Sequence, residues 1–294
     1  MRMKIPTTIC IIGAAGIISP GILRAQSTGS PPVVGDIMVK PSDLIREDRP
    51  DGVNGEPEWV RNRRFSTTRI YIQQDPGNMG FEQWYRLRTF DGGHVTQRSQ
   101  TEFEIGLPYR MQLDLYENTL FDNQGPHGWQ QDEFSVELRY AFADWGKIPL
   151  NPTLYFEYAF CNTSADGIEP KLLIGDDFGK GWHWGLNFIH ERRVWGKPEA
   201  EWRLAGGISK TIVDSCLSIG VEGQFAHPVG GFSEGLIGPT IQWRPTEKTH
   251  LDLVAMAGLN NSSPNTECWL IFGYDLGSVS SETHGYKPTT LGGG

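Results

Sequence analysis

Few residues of this 294-residue chain stand in patterns that do covalent chemistry. Gly231-Phe232-Ser233-Glu234-Gly235 matches the G-x-S-x-G nucleophile pattern, which works only on a strand-to-helix elbow with a base beside it. Here it lies in a glycine-rich loop between two strand-like runs with no helix after it, so Ser233 reads as a turn residue. Gly175 to Lys180, GDDFGK, lacks one spacer and the Ser/Thr of a phosphate loop, and it too reads as a turn. Asp176 and Asp177 with Glu169 offer hard oxygens for a cation, but two acids in a turn are ordinarily solvated. His183, His190 and His227 lack HExxH-type spacing, and Cys161, Cys216 and Cys268 form neither a CxxC nor a disulfide framework. No catalytic residue, metal or cofactor is expected, and the chain does not read as an enzyme.

The constellation that carries information is a set of charges recurring at every second residue. Thr101 to Leu120, TEFEIGLPYRMQLDLYENTL, sets Phe103, Ile105, Tyr109, Met111, Leu113 and Leu115 against Glu102, Glu104, Arg110, Gln112 and Asp114. Side chains alternate faces along a strand, so each arm has one apolar and one charged face, with a turn where Leu107-Pro108 interrupts the ladder. The pattern returns over 134–143, where Phe134, Val136, Leu138, Tyr140 and Phe142 oppose Glu137 and Arg139, and over 153–160, where Leu154, Phe156, Tyr158 and Phe160 oppose Glu157. Candidate strands follow at 170–176, 181–192, 200–210, 216–226, 236–244, 250–258 and 267–276, after a first at 81–90. A soluble sheet buries its apolar face, whereas a membrane barrel turns it to lipid and keeps a polar interior.

About twelve strands result, most of them near the length that crosses a bilayer at a tilt. Tight links at 107–109, 177–181, 211–215 and 245–249 alternate with longer polar ones at 91–100, 119–133, 161–169, 227–235 and 260–266; the link at 144–151 blurs the contrast. Short turns on one side and longer loops on the other suit an outer-membrane barrel. Tryptophans fit an aromatic girdle, with Trp145, Trp182, Trp184 and Trp243 near the short turns and Trp195, Trp202 and Trp269 near the long loops. The competing fold is a soluble periplasmic sandwich.

At the N-terminus, Arg2 and Lys4 precede an apolar run from Ile9 to Leu23 and a small residue at Ala25, which reads as a cleaved signal peptide over 1–25. Its loss, with Arg24, takes the formal charge from -9 to about -12 and argues against nucleic acid as a partner. Residues 26–77 are punctuated by Pro31, Pro32, Pro41, Pro50 and Pro57 and read as an irregular periplasmic segment. Within it Thr68 to Gln73 is a candidate strand, periplasmic or plug-like, and Arg61, Arg63 and Arg64 read as a solvated face. The barrel is placed at 78–277 and a disordered tail at 278–294.

The runs FEQWYRLRTF (81–90), TEFEIGLPYRMQLDLY (101–116), VELRYAF (136–142), PTLYFEYAF (152–160), IGPTIQW (237–243) and LDLVAMAGL (251–259) resemble outer-membrane barrels associated with the meta-cleavage pathway of phenol degradation. The resemblance covers roughly Met79 to Gly277 and implies a transporter-like channel for small aromatic or hydrophobic compounds. It departs at the end of the chain, where a polar tail follows Leu276-Gly277 in place of a terminal aromatic residue.

The expectation is an all-β, antiparallel transmembrane β-barrel of about twelve strands in a bacterial outer membrane, with membrane lipid and small-molecule cargo as its partners and its oligomeric state left open. Glu102, Glu104, Arg110, Asp114, Glu137, Arg139, Glu157, Arg203, Glu222 and Arg244 are expected to line the pore, with Asp275 on the same face. The alternatives are a closed structural or surface-interaction barrel acting through its loops, notably 119–133 and 227–235, and, ranked last, a barrel enzyme built on Ser233.

Overall fold

A computed structural model of the chain describes residues 45–196 and 199–278. The proposed signal peptide, the first part of the 26–77 segment and the tail beyond Ser278 lie outside the described residues.

Twelve strands close into one barrel in which each pairs antiparallel with its neighbours in sequence and β1 closes against β12. They are β1 (Asn78–Thr89), β2 (Val95–Leu107), β3 (Met111–Asp122), β4 (Gln130–Ala141), β5 (Thr153–Cys161) and β6 (Gly167–Asp177), followed by β7 (Trp182–Arg193), β8 (Ala200–Val213), β9 (Leu217–Pro228), β10 (Glu234–Thr246), β11 (Thr249–Gly258) and β12 (Thr266–Ser278). Closure pairs every ladder and leaves no open edge, the condition for a sheet in hydrocarbon.

The alternation read from the sequence is the alternation of the wall. Phe103, Leu138, Phe156, Phe188, Leu204, Ile219, Leu253, Leu270 and Phe272 stand on the outer face, while Glu102, Glu104, Asp114, Glu137 and Glu222 are buried inside. No aqueous solvent stabilises so large a contiguous apolar band, whereas lipid does.

Several strands run past their expected ends. β2 begins at Val95, inside the segment read as a polar loop, and pairs with β1 as far as Thr89↔Val95. Its upper half is polar on both faces because it stands above the apolar band, so hydrophobic period cannot reveal it; ladder pairing alone defines it. The girdle reading needs correction at two positions. Trp269 points inward and meets Trp84 edge-on at 5.7 Å, and Trp145 packs edge-on against Trp59 and Tyr71 at 5.6 and 5.4 Å.

Residues 45–77 run inside the barrel. A short 3-10 turn (Arg46–Asp48) and one turn of α-helix (Glu58–Arg61) are the regular pieces there, and Thr68 to Gln73 is no strand. The segment's own apolar residues, Trp59, Val60, Phe65, Ile70, Tyr71 and Ile72, form a small core with Ala141 of the wall. A second small apolar cluster, Leu236, Val254 and Met256 with Trp269, lies on the wall itself, and between the two the inner face carries many buried polar and charged residues.

Candidate functional site: the plugged lumen

The inner segment is held by side chains of the wall rather than by a β-ladder. Glu222 accepts hydrogen bonds from the Ser66 and Thr67 amides at 3.0 and 2.7 Å and from the Thr67 hydroxyl at 2.7 Å. The Asn187 side chain pairs with both backbone groups of Arg69, accepting at 2.8 Å and donating at 2.6 Å. The Gln112 oxygen accepts from the amides of Gln73 and Gln74, and Gln242 donates to the carbonyls of Asn62 and Arg63. Buried backbone groups must find partners, and here amides and carboxylates on the inner face supply them. That is why an extended stretch read as a strand forms none.

Charge does the rest. Glu82, Glu102, Glu104, Asp114 and Glu137 gather on the inner face of β1 to β4, all buried. Arg63 of the inner segment pairs with Glu82 and lies 3.6 Å from both Glu102 and Glu104. Arg69 reaches Glu102 at 3.0 Å, and Arg139 of the wall pairs with Glu137 and, at 2.6 Å, with Asp114. Three carboxylates from Glu82, Glu102 and Glu104, or from Glu102, Asp114 and Glu137, are near enough to share a cation, and guanidinium groups already pair with members of both sets. The sequence reading of Arg61, Arg63 and Arg64 as a solvated face fails for the last two: Arg63 is buried, and so is Arg64, which pairs with Glu47 at 2.7 Å. Arg63 is drawn in by acids of the wall and Arg64 by Glu47 of the same segment, 17 positions away, and neither pairing has a local signal.

The base of the plug is tied to the short-turn rim. Asp48 accepts from the Gly181 amide and faces His183 Nε2, both at 2.8 Å. Burial pushes the Asp48 carboxyl up, but the hydrogen bonds from His183 and Gly181 outweigh it and hold it below its ordinary value. The Asp214 carboxylate accepts from the Arg46 and Glu47 amides, and the Trp145 amide donates to the Asn54 carbonyl. Trp59 stacks on His183 with ring centroids 4.3 Å apart. Glu56 is fully buried in the same region, and desolvation pushes its carboxyl up to about 7.

Above the plug the lumen widens into a cavity of about 370 Å³ whose floor includes Ser66, Thr67 and Arg69. The expected pore residues therefore divide. Glu102, Glu104, Asp114, Glu137, Arg139 and Glu222 face the plug, while Glu157 and Arg203 line the cavity. Arg244 is buried at the short-turn end, donating to the Glu247 carbonyl at 2.8 Å. Arg110 is a correction. The break at Pro108 carries the turn two residues further, so Arg110 has a left-handed φ of 60° and lies outside β3, paired with Asp144 at 3.3 Å. The sequence reading passed over Glu82, Trp84, Arg86, Asn187 and Gln242. The first three share the inward alternation of β1 and were findable by it.

Ser233 does find a base, His227 Nδ1 at 2.9 Å, but the pair is exposed and a strand follows it, not a helix. Glu169 turns into the lumen to pair with Lys171 and does not gather with Asp176 and Asp177. Cys161, Cys216 and Cys268 are free thiols.

No protein-family model matches the chain, and no curated protein does. Among solved structures, an outer-membrane channel from Pseudomonas putida F1 is similar at 12% identity and a TM-score of 0.50, over 70% of this chain and 97% of that one. The NanC porin aligns at 11% identity and a TM-score of 0.49, over 67% of this chain and 98% of its own. At such identities the likeness is one of fold: the chain is a closed antiparallel β-barrel of twelve strands, of the architecture that outer-membrane channels use.

Proposed function

We propose that the protein is an outer-membrane channel for passive passage of small molecules, closed in the described conformation by residues 45–77. The observation that carries this is how the interior is filled. A purely structural small barrel fills its lumen with side chains of its own wall. Here a separate segment occupies one half, held by hydrogen bonds and ion pairs that water can replace, and a charged cavity occupies the other. Export by a cleaved signal peptide and exclusion of nucleic acid belong to the same proposal, as does a cargo of small aromatic or hydrophobic compounds. No covalent step is assigned to the protein.

Planar-bilayer recording of the detergent-folded protein tests this. Discrete conductance steps are expected, with ion selectivity moved toward cations in Arg203→Ala and toward anions in Glu157→Gln, since both line the cavity. A folded, heat-modifiable protein that never conducts would favour the closed barrel acting through its loops.

A further inference from the structure

The upper lumen has an arrangement that stability alone does not explain. Arg86 on β1 lies directly across from Arg98 on β2 and, on its other side, from Trp269 on β12. The three side chains make one transverse row on the inner face, and all of them line the cavity of about 370 Å³. Like charges directly opposite in a ladder repel, and this pair stands in a confined interior where the repulsion is poorly screened. Arg98 is answered by Glu133, and Arg88, one inward position above Arg86, by Glu267. Among the described residues the Arg86 side chain has no carboxylate within ion-pair distance and makes no hydrogen bond. Asp132 and Arg203 line the same cavity, and neither pairs with it.

What Arg86 does have is an aromatic neighbour on its cavity side. Its guanidinium lies 5.3 Å from the centre of the Trp269 ring, which meets Trp84 edge-on, and Tyr116 on β3 lines the same cavity. An unanswered guanidinium beside an aromatic face is complementary to a molecule with one negative group and one flat apolar face. The guanidinium fork takes a carboxylate through two parallel hydrogen bonds, and the indole takes the ring. The cavity volume suits a ligand of that size.

We propose that Arg86, Arg98 and Trp269 form a binding subsite for a small organic carboxylate with a flat apolar body. The proposal rests on the channel reading for its biological use, but the binding itself does not require conduction. It names the carboxylate as the group that the upper lumen recognises, while Glu133 and Glu267 hold Arg98 and Arg88 in place.

Titration calorimetry on the detergent-folded protein tests it, with benzoate as the probe, benzamide as its uncharged analogue and sulfate as an anion with no apolar face. Saturable benzoate binding is expected, at least tenfold tighter than benzamide or sulfate. Arg86→Gln should weaken it at least tenfold, and Arg86→Lys should restore part of the loss. Because Arg86→Gln removes the cross-strand repulsion, its thermal midpoint should be equal to or above that of the unaltered protein, so lost binding cannot be put down to misfolding. Absence of benzoate binding, equal binding of benzamide or sulfate, or unchanged affinity in Arg86→Gln would each overturn the subsite. Conductance recorded in parallel separates the two readings: a protein that conducts but does not bind loses only the subsite, and one that binds but stays silent loses only the channel.

Discussion

Glu222→Ala strikes the plug at a point where a single wall side chain holds two of its residues. Its carboxylate accepts three hydrogen bonds from Ser66 and Thr67, and the side chain is wholly buried. Each hydrogen bond to a charged group contributes about 1.5–3 kcal/mol, and removing the acceptor leaves the donors to water that enters in its place. A net loss of about 3 kcal/mol is a fair lower figure, and it raises the undocked population on the order of 100-fold. Limited trypsinolysis reads that population, because the plug's Arg61, Arg63, Arg64 and Arg69 are shielded inside a protease-resistant barrel until the segment leaves it. Fragments cut at these residues should appear on the order of 100-fold faster in Glu222→Ala and only several-fold faster in Glu222→Gln, whose amide oxygen still accepts. Cleavage at the unaltered rate in a folded Glu222→Ala barrel would refute the role given to this carboxylate.

Two further perturbations act on the same segment by different physics. Glu56 has its docked carboxyl raised to about 7 by burial, near Asp75 and Arg61, so the docked state holds its proton through a window in which the released state loses it. Docking is therefore strongest below the ordinary carboxylate value and weakens as pH rises toward about 7, by about 3 kcal/mol at the plateau. Plug cleavage by a pH-tolerant protease should rise across that window, and Glu56→Gln should flatten the rise and slow cleavage at pH 8. Gly185→Val tests close approach: a Cβ at this position already meets Ile70 and Thr68 of the plug at 2.9 and 3.0 Å. Overpacking of about 1–3 kcal/mol should loosen the plug by about five- to a hundredfold while the barrel keeps its heat-modifiable gel mobility.

The barrel was legible in the sequence, whereas of the plug only a plug-like role for Thr68 to Gln73 could be read, and neither its path nor its contacts, for one physical reason. Strand residues alternate because each faces either lipid or lumen, so Phe134 to Phe142 or Leu217 to Phe225 announce themselves locally. Charges spaced by two, such as Glu102 with Glu104 and Glu137 with Arg139, come out inside by the same rule. The segment around Arg63 to Gln74 takes its conformation from Glu222, Asn187, Gln112 and Gln242, residues 38 to 180 positions away along the chain. No window of sequence holds both halves of those contacts. Its proline punctuation fits the short pieces found there, one 3-10 turn and one turn of α-helix, but the expected strand at Thr68 to Gln73 does not form, and the inference that polar means exposed fails because the inner face of this barrel carries buried acids and amides. Trp145 and Trp269 failed for a related reason. An aromatic near a strand end can face either lipid or lumen, and only the register decides.

The most direct test of a lumen closed by its own N-terminal segment is a reversible tether. With the three native cysteines of the described chain replaced by serine, Ile70→Cys and Gly185→Cys place two thiols where a Cβ at 185 already touches the Ile70 side chain. The oxidised protein should insert and stay silent in a planar bilayer, and reduction in the same membrane should bring stepwise conductance. Equal conductance before and after reduction, with the disulfide verified by mass, would contradict the claim that this segment closes the path.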